Sequence, residues 1–180
     1  MSIGPAGQRL LDSLSADENF YFRRFPDPVL KQPSVVVEPG ADIHKLIRAM
    51  KRILAEQRGL GLAAQQVGSL HRVALVTWSS IQLAAINLEI LEHSKMTVRS
   101  TDEGCLSVRV QGRLFRMNVR RSRQVLVRWE DENRQEHTRR LGGLDAIVAQ
   151  HESDHLDGQC IIDRLDAQQL ERLMAKGLAA

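Results

Sequence analysis

The run His151-Glu152-Ser153-Asp154-His155 constrains this chain more than any other feature. Residues four apart on an α-helix stand one turn above each other, so an H-E-x-x-H run brings two imidazoles to one side of a helix, within reach of one metal ion. Glu152 follows the first histidine directly, which turns it beside such an ion rather than onto it, where it can take a proton from an activated water. The fold therefore has to supply a helix here. The flanking pattern agrees: after Gly142 and Gly143, Leu144, Ile147, Val148, His151 and His155 recur at spacings of three and four. The histidines extend this stripe, which predicts that they face inward. Two partly buried histidines beside a surface glutamate would give the same string, so the motif has to be weighed with whatever completes it.

Two imidazoles do not make a metal site, and the third ligand selects the subclass. The run continues as Leu156-Asp157-Gly158, but at the position where metzincin peptidases carry a third histidine this chain has Ile161, which excludes that subclass. A thermolysin-like site would take a glutamate from a later helix; Glu171 is the one acidic residue after Asp166, and spacing alone leaves it open. Cys105 is the stronger candidate. It lies in Glu103-Gly104-Cys105-Leu106-Ser107, where glycine lets the backbone approach closely and a thiolate offers a soft, charged ligand. A small buried apolar residue is the commoner fate of a lone cysteine. Cys160 fits that fate better, since on a continuing helix it would turn away from the histidine face.

With 180 residues, 43% hydrophobic and 26% charged, the chain has the size and balance of one soluble domain that can bury a core without disulfides. No segment reaches the roughly 20 apolar residues of a transmembrane helix. The first residues mix Asp12, Asp17 and Glu18 with Arg9, Arg23 and Arg24 where a secretory leader would be apolar. A cytoplasmic setting is expected, with Cys105 and Cys160 reduced and free to bind metal. Net charge is only +3, but arginines gather between Arg109 and Arg128. With no nucleic-acid-binding pattern beside it, that run reads as a solvated face.

Along the chain, residues 1–25 read as an N-terminal arm with a short helical pattern around Arg9 to Leu14, and Phe25-Pro26-Asp27-Pro28 opens a domain spanning 26–180. A long helix is predicted from Asp42 as N-cap through Ile43, Leu46, Ile47, Met50, Ile53 and Leu54, stopping at Gly59. Strands are predicted over Val73–Trp78, Leu83–Leu91, Lys95–Val98 and Arg123–Trp129, with a polar connection from Asp131 to Arg140. A last short helix has Asp166 as N-cap and Gln169 at its third position, continues through Leu170, Leu173 and Met174, and ends at Gly177. The sum is a single α+β domain.

Directly after the long helix comes Gly59-Leu60-Gly61-Leu62-Ala63-Ala64-Gln65-Gln66-Val67-Gly68. Its glycines and alanines strip bulk from a backbone that can then run alongside an extended ligand. It is not a phosphate loop: the Lys-Ser/Thr ending is absent, and the glycines follow a helix instead of joining a strand to one. Gln66 could donate an amide hydrogen bond to a developing oxyanion, or merely cap the turn.

Taken in order, Gly59 to Gly68, Glu103 to Ser107 and Gln150 to Gly158 resemble the three signature motifs of peptide deformylases, and the resemblance runs from about Phe25 to Leu165, including Asp27-Pro28-Val29-Leu30. It implies antiparallel β-sheets packed around a central metal-binding helix, with an N-terminal helix and a short C-terminal one. The activity implied is removal of the formyl group from N-formylmethionyl peptides of nascent proteins, with release of formate. Cys105, His151 and His155 would hold one divalent ion, characteristically Fe(II), with zinc, nickel or cobalt accepted. Glu152 would serve as general base and then acid, while the Gln66 amide and the Leu106 N–H stabilise the oxyanion. Leu60 and Gly61 would offer backbone hydrogen bonds to the peptide; Leu144, Ile147, Val148 and His151 would line the methionine pocket. Glu103 would brace Cys105 through Arg113 or Arg116. The resemblance also implies a transient ribosome contact and neither a membrane nor a specific nucleic acid as partner.

Three departures from the family pattern, Gln65 where many members have proline, Leu88 where Ile-Asn-Pro is common, and Arg109-Val110 where Pro-Gly is usual, are expected to reshape the substrate rim. An endopeptidase with Glu171 as third ligand and a non-catalytic metal-binding relative are the alternatives.

Overall fold

Val73–Trp78 is too short and too uniformly apolar for an amphipathic helix, and it forms a strand buried on both faces. In the computed structural model, which describes residues 20–178, this strand is β2, between β1 (Gly61–Ala63) and β3 (Ile81–His93). Two further strands, β6 (Gln124–Glu130) and β7 (Glu136–Gly142), complete an antiparallel sheet of order β1-β2-β3-β6-β7. The remaining pair, β4 (Thr97–Val110) and β5 (Arg113–Ser122), forms a separate two-stranded ribbon. The helical pattern expected at Arg9 to Leu14 lies outside the described residues. None of the helices in the described residues is long and apolar enough to cross a membrane.

Alternation along the sheet assigns its two faces. Val73, Leu75, Ala84 and Ile86 pack against helix α1 (His44–Gln57) through Leu46, Ile47, Met50, Ile53 and Leu54. Asp42 accepts a hydrogen bond from the His44 N–H at 3.1 Å, one residue before the formal cap. At the other end Arg58, not Gly59, takes the left-handed conformation (φ 55°, ψ 40°). Gly59 is needed for closeness instead: a Cβ there would lie 2.6 Å from Leu106 Cδ1 and 2.9 Å from Leu54 Cδ1.

On the opposite face, Ala63, Ala74 and Ala85 meet Ala146 and Ala149 of helix α2 (Gly143–Leu156), and small residues on both sides let the helix sit low on the sheet. The ribbon covers its far side, through Arg121 to Asp154 and Glu103 to His151. α2 is therefore enclosed nearly all round from Val148 to Leu156. The predicted inward stripe is corrected at its start, where Leu144 is 58% exposed.

A third apolar cluster holds the ribbon to the base of the molecule, joining Leu30, Val108, Met117, Val119, Ile161 and Leu173. Leu173 comes from helix α3 (Ala167–Ala175), whose Asp166 cap accepts from the Gln169 N–H at 2.7 Å while the Gln169 amide oxygen accepts from the Asp166 N–H at 3.0 Å.

Three strands were not predicted, the short Gly61–Ala63 and two longer ones. Glu136–Gly142 was expected to lie largely in a polar connection, because as the sheet's edge it buries only Leu141 and otherwise carries charge. Arg113–Ser122 hides its alternation, because the third inward residue after Met117 and Val119 is Arg121.

Candidate active site

Helix α2 supplies His151, Glu152 and His155, and β4 brings Cys105 against them. The ligand atoms of Cys105, His151 and His155 all lie within 4.8 Å of one another. Cys105 Sγ is 3.2 Å from His155 Nε2, and His151 Nδ1 is 2.8 Å from Glu103 Oε1, which leaves His151 Nε2 for the site. Glu171 stands exposed on α3, outside this group. One soft thiolate and two imidazoles are a donor set that borderline divalent ions take.

The electrostatics favour a cation at this point. Burial pushes the Cys105 thiol up, but the charge on His155 and hydrogen bonding to both histidines outweigh it and hold it down at about 5. Burial would lower His151, yet its hydrogen bonds to Cys105 and Glu103 raise it to about 10. Protons on the imidazoles thus do what a bound cation would do. Burial raises Glu152 to about 7, against the opposing charges of the two histidines, and its Oε2 is buried without a hydrogen-bond partner. The residues fit a divalent ion, with the Glu152 carboxylate buried beside it.

Behind the ligands runs a chain of buried charges that the sequence did not reveal. Glu103 is bracketed by Arg121, with Oε1 2.5 Å and Oε2 3.2 Å from the guanidinium. The same arginine donates to Asp154 at 2.6 Å, and Arg164 closes on Asp154 at 2.5 Å. Burial raises Glu103, but hydrogen bonds from His151 and Arg121 prevail and hold it at about 2. The expected braces are corrected: Arg116 pairs instead with Asp102 at the surface, Arg113 is exposed at the end of the ribbon, and Arg121 takes the role because its side of β5 faces α2. Its buried place in the Met117, Val119, Arg121 alternation was the available signal.

Gln66 is locked in place. Its Oε1 accepts from the Ala63 N–H at 2.9 Å, and its Nε2 donates to Ser107 Oγ at 3.0 Å while lying 4.0 Å from Cys105 Sγ. Ser107 in turn donates to the Arg23 carbonyl at 2.9 Å. Backbone bonds from Arg23 N–H to Gln66 and from Phe25 N–H to Ser107 tie the last part of the expected arm into the site. Nothing in the residues adjacent to Ser107 or Arg23 signals this role. Pairing between β4 and β5 is interrupted between Gly104 and Arg109, so the backbone around Leu106 is released from the regular ladder.

A cavity of about 450 Å³ opens onto Glu152 and His151. One wall is Leu60 and Gly61, another Leu144, Ile147 and Val148, and Gln66 and Leu106 also reach it. Gly61 is required here, because a Cβ would overlap the Glu152 carboxylate, 2.7 Å from its Cδ. The Leu60 carbonyl already accepts from the Thr77 N–H at 2.8 Å, so Leu60 keeps only its N–H and side chain for a ligand. The departures do not form this rim: Gln65 and Leu88 are fully buried elsewhere, and Arg109 hydrogen-bonds to Gln57 and the Gly112 carbonyl.

The profile of the family described as polypeptide deformylase matches residues 21–171. A peptide deformylase of Thermodesulfovibrio yellowstonii is 34% identical over 160 residues, covering 86% of this chain and 93% of that protein. One from Thermotoga neapolitana is 38% identical over 144 residues, covering 79% and 85%. Among solved structures, a peptide deformylase from Synechococcus elongatus in complex with actinonin superposes with a TM-score of 0.79 at 31% identity, over 92% of this chain and 90% of that one. A Plasmodium falciparum peptide deformylase in complex with an inhibitor gives 0.76 at 30% identity, over 87% and 96%.

Proposed function

The chain belongs to the polypeptide deformylase family, and from that premise we propose how its residues divide the work of removing the formyl group from N-formylmethionyl peptides. The observation that carries the assignment is the buried, unpartnered Glu152 carboxylate beside Cys105, His151 and His155 at the floor of the cavity. These three residues would hold the divalent ion. What such an ion contributes when bound is Lewis acidity, toward a water and toward the formyl oxygen.

Everything else falls to the protein. Glu152, raised to about 7 by burial, is poised to take a proton near neutral pH and to return it to the leaving amine. Gln66 Nε2 and the Leu106 N–H lie where charge develops on the formyl oxygen, and the Ala63 and Ser107 contacts fix the amide in advance. Leu144, Ile147 and Val148 take the methionine side chain. β1 pairs with β2 on one side only, and its open edge faces the cavity. An extended peptide can add along that edge through Gly61 and the Leu60 N–H. Formate and a free methionine amine leave.

We assign Fe(II) as the native ion, exchangeable for zinc, nickel or cobalt, since a thiolate with two imidazoles accommodates each. Metal analysis of anaerobically purified protein checks this. The cytoplasmic setting and a transient ribosome contact rest on the substrate being a formylated nascent chain. The test of the whole reading is formate release from formyl-Met peptides by metal-loaded protein beside Glu152→Gln. Glu152→Gln is expected to keep its metal and lose about 10²- to 10⁴-fold in kcat. Wild-type turnover in that variant would remove Glu152 from its role.

A further inference from the structure

The mouth of the cavity carries charge that its interior does not need. Arg58, at the end of α1, and Arg99, on β4, both line it. Both are exposed, and among the described residues neither has a carboxylate at ion-pair distance. Arg116 also lines the mouth, but its charge is matched by Asp102 at 3.2 Å. The charge left unpaired at the exposed lining is therefore positive.

Two features show that these arginines sit there against local preference. Arg58 occupies a left-handed helix end (φ 55°) where glycine would be unstrained. Arg99 is paired directly across the ribbon with Arg120, and like charges in that position repel. Backbone strain and unrelieved repulsion beside a binding groove are the features from which a ligand-directed role is inferred.

We propose that the groove selects formylated peptides carrying Asp or Glu within the first few residues after formylmethionine, with Arg58 and Arg99 as the specificity-determining residues. This rests on the deformylase reading above. A peptide extended along β1 advances about 3.3 Å per residue and presents successive side chains to opposite sides. With the methionine held by Leu144, Ile147 and Val148, the residues that follow run out along the lining that carries the two arginines. An acidic side chain there meets Arg58 or Arg99 and relieves the repulsion from Arg120, while a lysine adds to it. The pairs form at an exposed rim, so they are weak, additive and salt-sensitive.

The test uses metal-loaded full-length protein and three C-terminally amidated formyl-Met-Ala peptides, ending in Asp-Glu, Ser-Ser or Lys-Lys. The acidic peptide is expected to exceed the basic one about three- to tenfold in kcat/KM at low ionic strength, mostly through KM, with the gap closing in 0.5 M salt. Arg99→Glu and Arg58→Glu should each shrink or invert that order, whereas Arg139→Glu, an equal charge change on the distant sheet edge, should leave it unchanged. Equal kcat/KM for the three peptides, or an order that Arg139→Glu moves as much as Arg99→Glu, would overturn the proposal. Formate release from the Ser-Ser peptide reads the underlying activity separately. Titration of the three peptides into metal-loaded Glu152→Gln protein reads selection without turnover, and equal affinities there would also overturn it.

Discussion

Helices α1 and α2 have the same length, 14 residues, and press on opposite faces of one sheet, yet they are held there by opposite means. α1 lays an apolar stripe on the sheet and leaves Lys45, Arg48, Lys51 and Arg52 in or near water. α2 buries Gln150, His151, Glu152, Ser153, Asp154 and His155 in succession. Buried polar groups are costly unless paired, and most of these are. Gln150 exchanges hydrogen bonds with the Ser122 backbone at 2.9 and 3.0 Å, Asp154 is gripped by two arginines, and His151 by Glu103. The exceptions are Glu152 Oε2 and His155 Nδ1. What differs is therefore the purpose of burial. α1 stabilises the fold through apolar area, whereas α2 relies on a polar network to hold the Glu152 carboxylate buried and unpartnered beside the ligand residues.

Breaking the network should be the severest test of that contrast. Arg121→Met leaves Glu103 and Asp154 buried without their shared counter-charge and is expected to cost about 3–5 kcal/mol in urea unfolding. It should also weaken metal retention, because Glu103 no longer orients His151. Met50→Ala, in the centre of the α1 stripe, should cost about 3 kcal/mol through a cavity. There, metal content and KM of the folded protein are expected to stay at wild-type values. Loss of metal from Met50→Ala, or its full retention in Arg121→Met, would erase the distinction between the helices.

Acid sharpens the comparison in the chelated protein. Glu103 is held down at about 2 from an ordinary 4.5, and Asp154 is likewise lowered, burial being outweighed by Arg164 and Arg121. A carboxylate depressed on folding adds stability above its unfolded pKa and loses it as pH falls through the folded value. The urea midpoint should therefore decline from about pH 4.5 toward 2, and that decline should shrink in Arg121→Met, where both carboxylates lose a counter-charge that depresses them, but not in Met50→Ala. The smallest effect is expected at Gln65, whose buried Oε1 has no partner. Gln65→Pro removes that orphan at an early position of a 3-10 turn and stiffens the unfolded chain. A gain of about 0.5–1 kcal/mol in the same assay is anticipated.

How much could be read in advance differs along the same lines. The α1 stripe, the Asp166–Gln169 capping box and the apolar β2 follow from periodicities that neighbouring residues impose on each other, so they were visible in the string. Arg121 and the strand that carries it were not, because an arginine among arginines gives no local sign that it alone turns inward. Ser107 and Arg23 were overlooked for a related reason: their role is to hold Gln66, a partner distant in sequence.

The sequence by itself determined the ligand types, the one-turn spacing of His151 and His155, the carboxylate between them, and through the joint motifs the reaction. These are properties of local helical geometry and residue chemistry. Only the tertiary structure decided that Arg121 neutralises the charges behind the ligands, that Ser107 and Arg23 hold Gln66, and that the rim carries Arg58 and Arg99 instead of the positions that depart from the family pattern. Each of those depends on which strands are neighbours and which of their faces turn inward, and such long-range pairing leaves no trace in the spacing of residues along the chain.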